Sequence, residues 1–554
     1  MKVLKNFIAL HSIVITIHLL FFSKQLSMTN MQIDPKSDEP PPRKASYADA
    51  YNPHTFQNVG HRIIDMVSKY LGRATGRAAD LPVYPPVTPD MLLREWGPLS
   101  NAKGGTPDDF FAMMERFLMQ CNHLHSPKYM GHQNAVPLPL SVFSDMISSL
   151  LNNCAAVFDM GPVETVVEKR IVDWMCEKIG FKSGGGFLTS GGTLGNFTAL
   201  LAARQVMGMR YGFDVWKEGL EEHTNLAILT SDQSHYSIRR PMQMMGLGKE
   251  SVVIVPTNKD FQVTRDAVER SYAEAVAQGK QVIAFAASSC NTGPGTFDDL
   301  VMLSEFCRAK GLWLHVDAAH GGPALLSPKY RHFLKGIEHA DSVVWDFHKM
   351  MMVPGLATAV LFREHKDSYQ AMRQDAEYLY ANRPDIEADW YTLCKRTLEC
   401  TKISMGVKFY SMMSLYGEEF FANHVTDAFD LAQWFADRTR NDPELELGVE
   451  PQSNIVCFRY VPHARTMDDL NALQSQIRAA VVESGRFYIV QTTLPTGVYL
   501  RLSLMNPLTN KEDLEQLIVA VKAAGIKLTK PKTALPSVRA KEKSGACAAA
   551  RRTR

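Results

Sequence analysis

The segment Asp341–Pro354, DSVVWDFHKMMMVP, constrains this chain more than any other. Ser342 to Trp345 is apolar and partly β-branched, and reads as a short buried strand. His348 and Lys349 arrive just past its C-terminal end, with Met350, Met351, Met352 and Val353 directly after them. An ammonium among such neighbours is costly to bury unless it is paired or neutralised. A lysine kept there is expected to have a depressed pKa and a nucleophilic amine, as a Schiff-base lysine requires. The alternative is a lysine whose stem snorkels from the strand end to water.

Gly311–Gly322, GLWLHVDAAHGG, has the same design. Leu312 to Val316 reads as a buried strand with Asp317 at its end, and the small residues that follow leave room for something flat. In open α/β sheets ligands bind beyond the carboxyl ends of strands, so Asp317 and Lys349 are expected to face one crevice. A carboxylate that holds a pyridine nitrogen protonated, with a lysine that forms an imine, is the arrangement that pyridoxal phosphate (PLP) needs. Taken alone, Asp317 is more often a helix cap or turn residue.

A third segment, GGGFLTSGGTLGNFTALLAARQ, runs from Gly184 to Gln205. Its glycines let the backbone turn sharply, and Leu194, Phe197 and Leu201 mark a helix that starts at once. Unpaired N–H groups at that helix start suit a phosphate, with Ser190, Gly191, Gly192 and Thr193 as the expected cradle. The segment is not GxGxxG, and no acidic residue follows a matching strand as a dinucleotide site requires.

Leu226–Thr230, Ser251–Pro256 and Gln281–Ala287 supply further strands. Val163–Ile179 reads as a long helix with Val166, Val167, Ile171, Trp174 and Met175 on its inner side. Strands alternating with helices predict an α/β fold, a mostly parallel central sheet with helices on both faces. A helix from Thr397, TLECTKISMGVKFYSMM, is expected to lead into a smaller C-terminal α+β domain. There, Asn454–Val461 reads as a strand and Thr466 with Asp469 opens a helix. Val498–Leu504 reads as a half-buried strand, with Leu500, Leu502 and Leu504 pointing one way and Arg501 the other. Thr509 and Glu512 are expected to cap the next helix.

With 554 residues, 45% hydrophobic and 21% charged, the chain is long enough for two or three packed domains. A net charge of +2 gives no electrostatic footprint for nucleic acid. The nine cysteines include no CxxC pair, which fits free thiols in a reducing compartment and excludes the usual zinc spacing, so no metal site is expected. Lys2 and Lys5 precede an apolar run from Phe7 to Phe22, which as a helix spans about 24 Å against a bilayer core of about 30 Å. It reads as an upstream extension outside the working protein, as a cleaved signal, or as a membrane anchor; the first favours a cytoplasmic location.

The boundaries follow from these shifts: leader and flexible arm over residues 1–50 and an N-terminal helical segment over 51–107. The large domain is 108–396, the small domain 397–528, and a basic tail 529–554 has eight basic residues against Glu542 alone.

HVDAAHGG, DFHKMM, FLTSGGTLGN, SDQSHYS and RLSLMNP fall in the order and approximate spacing of one family. Over about residues 50 to 525 the chain resembles the group II PLP-dependent amino-acid decarboxylases, which act on glutamate, cysteine sulfinate, aromatic amino acids or diaminobutyrate. The resemblance implies the PLP-dependent transferase type I fold, with Lys349 holding PLP as an imine and Asp317 keeping its ring nitrogen protonated. It places Ser190, Gly191, Gly192 and Thr193 at the phosphate, His235 against the ring, and Thr292, Ala319, Asp346 and His348 near the cofactor. Gln133 and Arg501 match substrate-orienting residues. Tyr391, in a mobile loop over about 367–396, or His348 would reprotonate Cα. Residues 51–107 would wrap onto a partner subunit, giving a homodimer.

Read without the resemblance, Gln133 is a loop amide, His235 a structural histidine, Thr292 a turn residue and Arg501 half of a surface ion pair. Two departures stand out: His320 replaces a bulky aromatic after DAA, and Asp346-Phe347 replaces the Asn-Pro of animal members. The expected reaction is decarboxylation of an L-amino acid to its amine and CO2, with an acidic substrate such as glutamate or aspartate first. Aromatic or diamino substrates are alternatives, as are an aminotransferase or carbon–carbon lyase on the same fold. A membrane-attached binding protein that kept the fold and lost the chemistry is the reading from outside enzymology.

Overall fold

The computed structural model describes residues 46–76, 81–101, 104–372, 390–462 and 467–530. Two compact units divide the chain at Ile64. In the first, residues 46–64 form the short helix Tyr47–Ala50, opened by a Ser46–Asp49 capping box, and the start of helix α1, Pro53–Thr75. Everything below belongs to the second unit. The apolar run Phe7–Phe22 and the basic tail from residue 531 lie outside the described residues, among which no helix is long and apolar enough to cross a membrane.

Seven strands make the central sheet: β1 Gly185–Thr189, β2 Leu226–Ser231, β3 Val252–Val255, β4 Gln281–Ser288, β5 Trp313–Asp317, β6 Ser342–Asp346 and β7 Thr358–Phe362. Their order is β1-β7-β6-β5-β4-β2-β3, parallel except that β7 runs antiparallel to both neighbours. The strands read as continuous apolar runs because both faces are covered. Alternate residues serve opposite layers, as period-two geometry requires. Leu188, Leu229, Val343 and Leu361 join one core, while Phe187, Ile228, Val344 and Val360 join the other. The helices that matter below are α2 Ser141–Leu151, α3 Pro162–Ile179, α4 Gly192–Arg210, α5 Tyr236–Met244, α6 Leu300–Lys310, α7 Val407–Tyr416, α8 Glu418–Arg440, α9 Met467–Glu483 and α10 Lys511–Thr529, with α4 packed on the second core.

A second sheet, antiparallel in the order β10-β11-β9-β8, joins β8 Leu445–Leu447, β9 Ile455–Tyr460, β10 Val490–Leu494 and β11 Gly497–Ser503. It makes the predicted α+β part, with α9 and α10 against its core.

Four local expectations are corrected. Val166 on α3 faces outward, and Val172 and Cys176 are buried with Ile171 and Met175. The helix expected from Thr397 begins at Val407. Residues 397–402 are non-helical and tied down instead, with Lys402 paired to Glu168 and its carbonyl accepting from Ala155 N at 2.7 Å. The cap before α10 is Asn510 with Asp513, while Thr509 donates to Pro127 O at 2.5 Å. Strand β11 is buried on both faces from Tyr499 onward, so Arg501 is only 5% exposed. Thr466 lies outside the described residues.

Candidate active site

The parallel strands end around one cleft of about 340 Å³. Asp317 closes β5, Asp346 closes β6, Ser288 closes β4, and the turn after β1 supplies Ser190 to Thr193. Gln133, His235, Thr292, Ala319, His348 and Lys349 line the same cleft. Asp317 and Lys349 thus face one crevice, from neighbouring strands β5 and β6, as strand-end reasoning requires.

The turn at Ser190–Thr193 depends on its glycines. Gly191 has φ +111°, a conformation that side chains oppose, and α4 starts at Gly192. A Cβ at Gly192 would stand 3.2 Å from both Asp346 carboxylate oxygens and 3.4 Å from Ala319 Cβ. The loop therefore brings bare backbone N–H groups against the floor of the cleft, which suits a phosphate.

Lys349 Nζ lies 2.9 Å from Asp346 Oδ2. Asp346 Oδ1 also accepts from Thr358 Oγ1 at 2.5 Å, and His348 Nε2 stands 3.6 Å from Oδ2. This corrects the expected depressed lysine. Burial lowers the ammonium's pKa, but Asp346 and then Asp317 outweigh it, and the net shift is upward. The reading from the methionines ignored the carboxylate three residues earlier.

Asp317 Oδ2 accepts from Asn196 Nδ2 at 2.8 Å, and Oδ1 from Ala319 N at 3.2 Å. His235 is the N-cap of α5, and burial first of all holds its imidazole below the usual range. His348 Nδ1 faces both the carbonyl of Ala357, at 2.9 Å, and the Ala357 N–H, at 3.3 Å. His320 is buried, donates from Nε2 to Asn454 Oδ1 at 2.8 Å, and has its pKa pushed down to about 3, chiefly by burial.

Arg501 is buried behind the loop that carries Thr292. Its Nε donates to Gly293 O at 3.1 Å and its Nη2 has no hydrogen-bond partner. It makes no ion pair among the described residues, so it is not the surface pair of the bland reading. Gln133 Nε2 is likewise buried without a partner. Two unsatisfied buried donors are costly unless a ligand meets them.

Tyr391 is not among the lining residues; its ring packs edge-on against Phe158 at 6.1 Å. Most of the expected mobile loop, residues 373–389, lies outside the described residues. Sequence reasoning missed Asn196, Cys290 and Glu399. Asn196 ends the quoted FLTSGGTLGN motif, so its signal was present. Cys290 adopts φ +71° at the cleft wall, and Glu399 Oε1 accepts from Ser190 Oγ at 3.0 Å, neither of which has a local signature. Among the described residues no cluster of His, Cys, Asp and Glu is placed to hold a metal ion.

The donor set fits PLP: a lysine, a carboxylate one strand away, a glycine-lined helix start and the unsatisfied amide of Gln133, whereas Arg501 is not among the residues that line the cleft. The model of the pyridoxal-dependent decarboxylase conserved domain matches residues 102–461. L-2,4-diaminobutyrate decarboxylase from Acinetobacter baumannii is 29% identical over 429 residues, 76% of this chain and 84% of that protein. Acidic amino acid decarboxylase GADL1 from Mus musculus is 27% identical over 419 residues, 74% of this chain and 75% of that protein. The crystal structure of mouse CSAD shares the fold at TM-score 0.79 and 24% identity, covering 85% of this chain and 99% of that one. The crystal structure of Oryza sativa TDC with PLP and tryptamine also has TM-score 0.79, at 21% identity, covering 87% and 99%.

Proposed function

Since the chain belongs to the pyridoxal-dependent decarboxylase family, whose conserved domain spans residues 102–461, we propose that its substrate is an acidic L-amino acid, glutamate or aspartate first. It is a PLP-dependent amino-acid decarboxylase, a carboxy-lyase. Bound PLP supplies the electron sink for the charge released when the bond from Cα to its carboxylate breaks.

The chain's own groups divide the remaining work. Lys349 would provide the amine that fastens the cofactor, and Asp317 would keep its ring nitrogen protonated. The Ser190–Thr193 turn would hold the phosphate, and His235, Thr292, Ala319, Asp346 and His348 would hold the rest of the cofactor. Arg501 and Gln133 bind a substrate carboxylate, and Tyr391 or His348 returns the proton to Cα.

The observation that carries the acidic reading is Arg501, a buried guanidinium with an unpartnered Nη2 and, among the described residues, no ion-pair partner. A rigid planar donor in that state selects a carboxylate. Similarity to the acidic amino acid decarboxylase supports the same choice. L-2,4-diaminobutyrate is the second reading, favoured by similarity to the Acinetobacter enzyme.

Incubation of the purified protein with a panel of L-amino acids, read as CO2 and amine, tests both. Glutamate, aspartate or cysteine sulfinate turning over fastest supports the proposal; diaminobutyrate or an aromatic substrate turning over fastest overturns it. Release of CO2 without any keto-acid requirement separates decarboxylation from transamination.

A homodimer is part of this proposal. It is supported by the apolar side chains that α2 leaves exposed, Phe143, Met146, Ile147, Leu150 and Leu151, a patch of the kind that marks an interface. A cytoplasmic location is proposed too, supported by the eight described cysteines, all free thiols.

A further inference from the structure

A continuous chain of hydrogen bonds runs from the core of the sheet to the cleft, and both of its fixed ends have one possible role. Trp313 Nε1–H can only donate, and it does so to Ser342 Oγ at 2.9 Å. The Asp317 carboxylate accepts, and it takes Asn196 Nδ2–H at 2.8 Å. Between these ends one consistent set of proton positions satisfies every contact. Asn196 Nδ2 also donates to Ser237 Oγ at 2.9 Å, which leaves Asn196 Oδ1 to accept from His315 Nε2 at 3.0 Å. His315 Nδ1 must then accept from the Ser342 hydroxyl at 2.9 Å. Ser237 Oγ accepts from Asn196 and lies 2.7 Å from His235 Nδ1, to which its own proton is assigned because the Ser237 backbone N–H marks that nitrogen as an acceptor. The Ser237 backbone N–H points at the same nitrogen from 3.3 Å, so Nδ1 is an acceptor twice over.

The consequence is a single tautomer of His235, with its proton on Nε2. Asn196, Ser237, His315, Ser342 and Trp313 are each at most 1% exposed, so water does not compete for these bonds. Burial also pushes His315 down to about 4, which keeps that link neutral and the direction of the chain unchanged.

We propose that Asn196 is a positioning residue: with one amide it steadies the Asp317 carboxylate and, through Ser237, fixes the tautomer in which His235 meets the cleft. A leucine of similar size there would leave Asp317 with only the Ala319 N–H and would free the Ser237 hydroxyl to rotate. Neither Asn196 nor Ser237 is given a part in chemistry here; both act through the residues they hold. The inference depends on the cleft geometry and the cofactor, and survives if the acidic-substrate reading fails.

The test uses 15N-labelled histidine in the full chain stripped of cofactor, with the His235 resonances assigned by their loss in His235→Gln. Asp317, Lys349, Asp346 and Arg240 are the charged groups around this ring, so spectra are taken at one pH for all variants. The parent is expected to show a bare Nδ1 and a protonated Nε2, Ser237→Ala a mixture of tautomers, and Ser237→Thr the parent pattern. After reloading with PLP, Asn196→Leu is expected to lose about 100-fold in kcat and Ser237→Ala about tenfold, with KM within about twofold and Ser237→Thr restored. A protonated Nδ1 in the parent overturns the proposal, as does a Ser237→Ala protein whose tautomer and kcat match the parent. Ser237→Ala removes one oxygen atom, so it keeps the question answerable if Asn196→Leu does not fold.

Discussion

Two lysines in this protein, the half-buried Lys349 and the buried Lys402, each lean on a carboxylate, yet their surroundings make them opposites. Lys402 is 1% exposed and pairs with Glu168, whose Oε1 also accepts from Leu188 N at 2.8 Å. Burial lowers its pKa in spite of Glu168. Lys349 keeps 21% of its side chain exposed to the cleft and is pulled the other way by Asp346 and Asp317. Lys402 is sealed, so its charge holds residues 397–402 against α3 and serves packing. Lys349 has a path to a ligand, so its charge is held ready at a site with access. Desolvation alone does not make a lysine a nucleophile; access and the number of facing carboxylates decide what it does.

The sharpest way to break this comparison is Lys349→Arg. It should cost at least about 1000-fold in CO2 release, with no covalent uptake of PLP and an unchanged melting temperature. Parent-like turnover would remove Lys349 from the chemistry. Arg501→Gln comes next, with an expected loss of about 100-fold in kcat/KM measured on the best substrate of the panel.

Lys402→Met should show the converse pattern, because it strands the Glu168 carboxylate. Urea unfolding is expected to report about 3–5 kcal/mol lost, with the folded fraction still binding PLP. Undiminished stability would mean that the sealed pair contributes nothing. The smallest effect is at the cleft wall: Cys290→Gly relieves φ +71° but deletes a buried thiol that packs in the core and donates to Gly295 O, so the same assay should report a net change within about 1 kcal/mol of zero.

Strand-end chemistry was legible because it is local. A short apolar run followed by a polar residue places Asp317 and Lys349 at the rim of a parallel sheet whatever the partners are. The glycines at 191 and 192 carry their own backbone signal, and Asn196 was visible within the same motif. What misled was contact that the neighbours in sequence do not announce. Lys349 looked depressed because Met350, Met351, Met352 and Val353 adjoin it in sequence, while the decisive oxygen on Asp346 folds back over one turn. The stretch from Thr397 has helical composition, but its backbone is committed to Ala155 and its lysine to Glu168, partners more than 200 residues away. Arg501 read as half-exposed because alternation on β11 cannot say whether the second face meets water or the loop at Gly293.

The amino-acid order by itself determined the alternation of strands and helices, the rim positions of the lysine and the aspartate, and the glycine turn between β1 and α4. Those follow from periodicity and backbone sterics, which act within a few residues. Only the tertiary structure decided the charge state favoured at Lys349, the unpaired state of Arg501 and the tautomer fixed through Asn196. Each of these is set by what stands within hydrogen-bonding distance in a low-dielectric interior, and apart from Asp346 beside Lys349 the residues concerned come from strands and loops far apart in the chain.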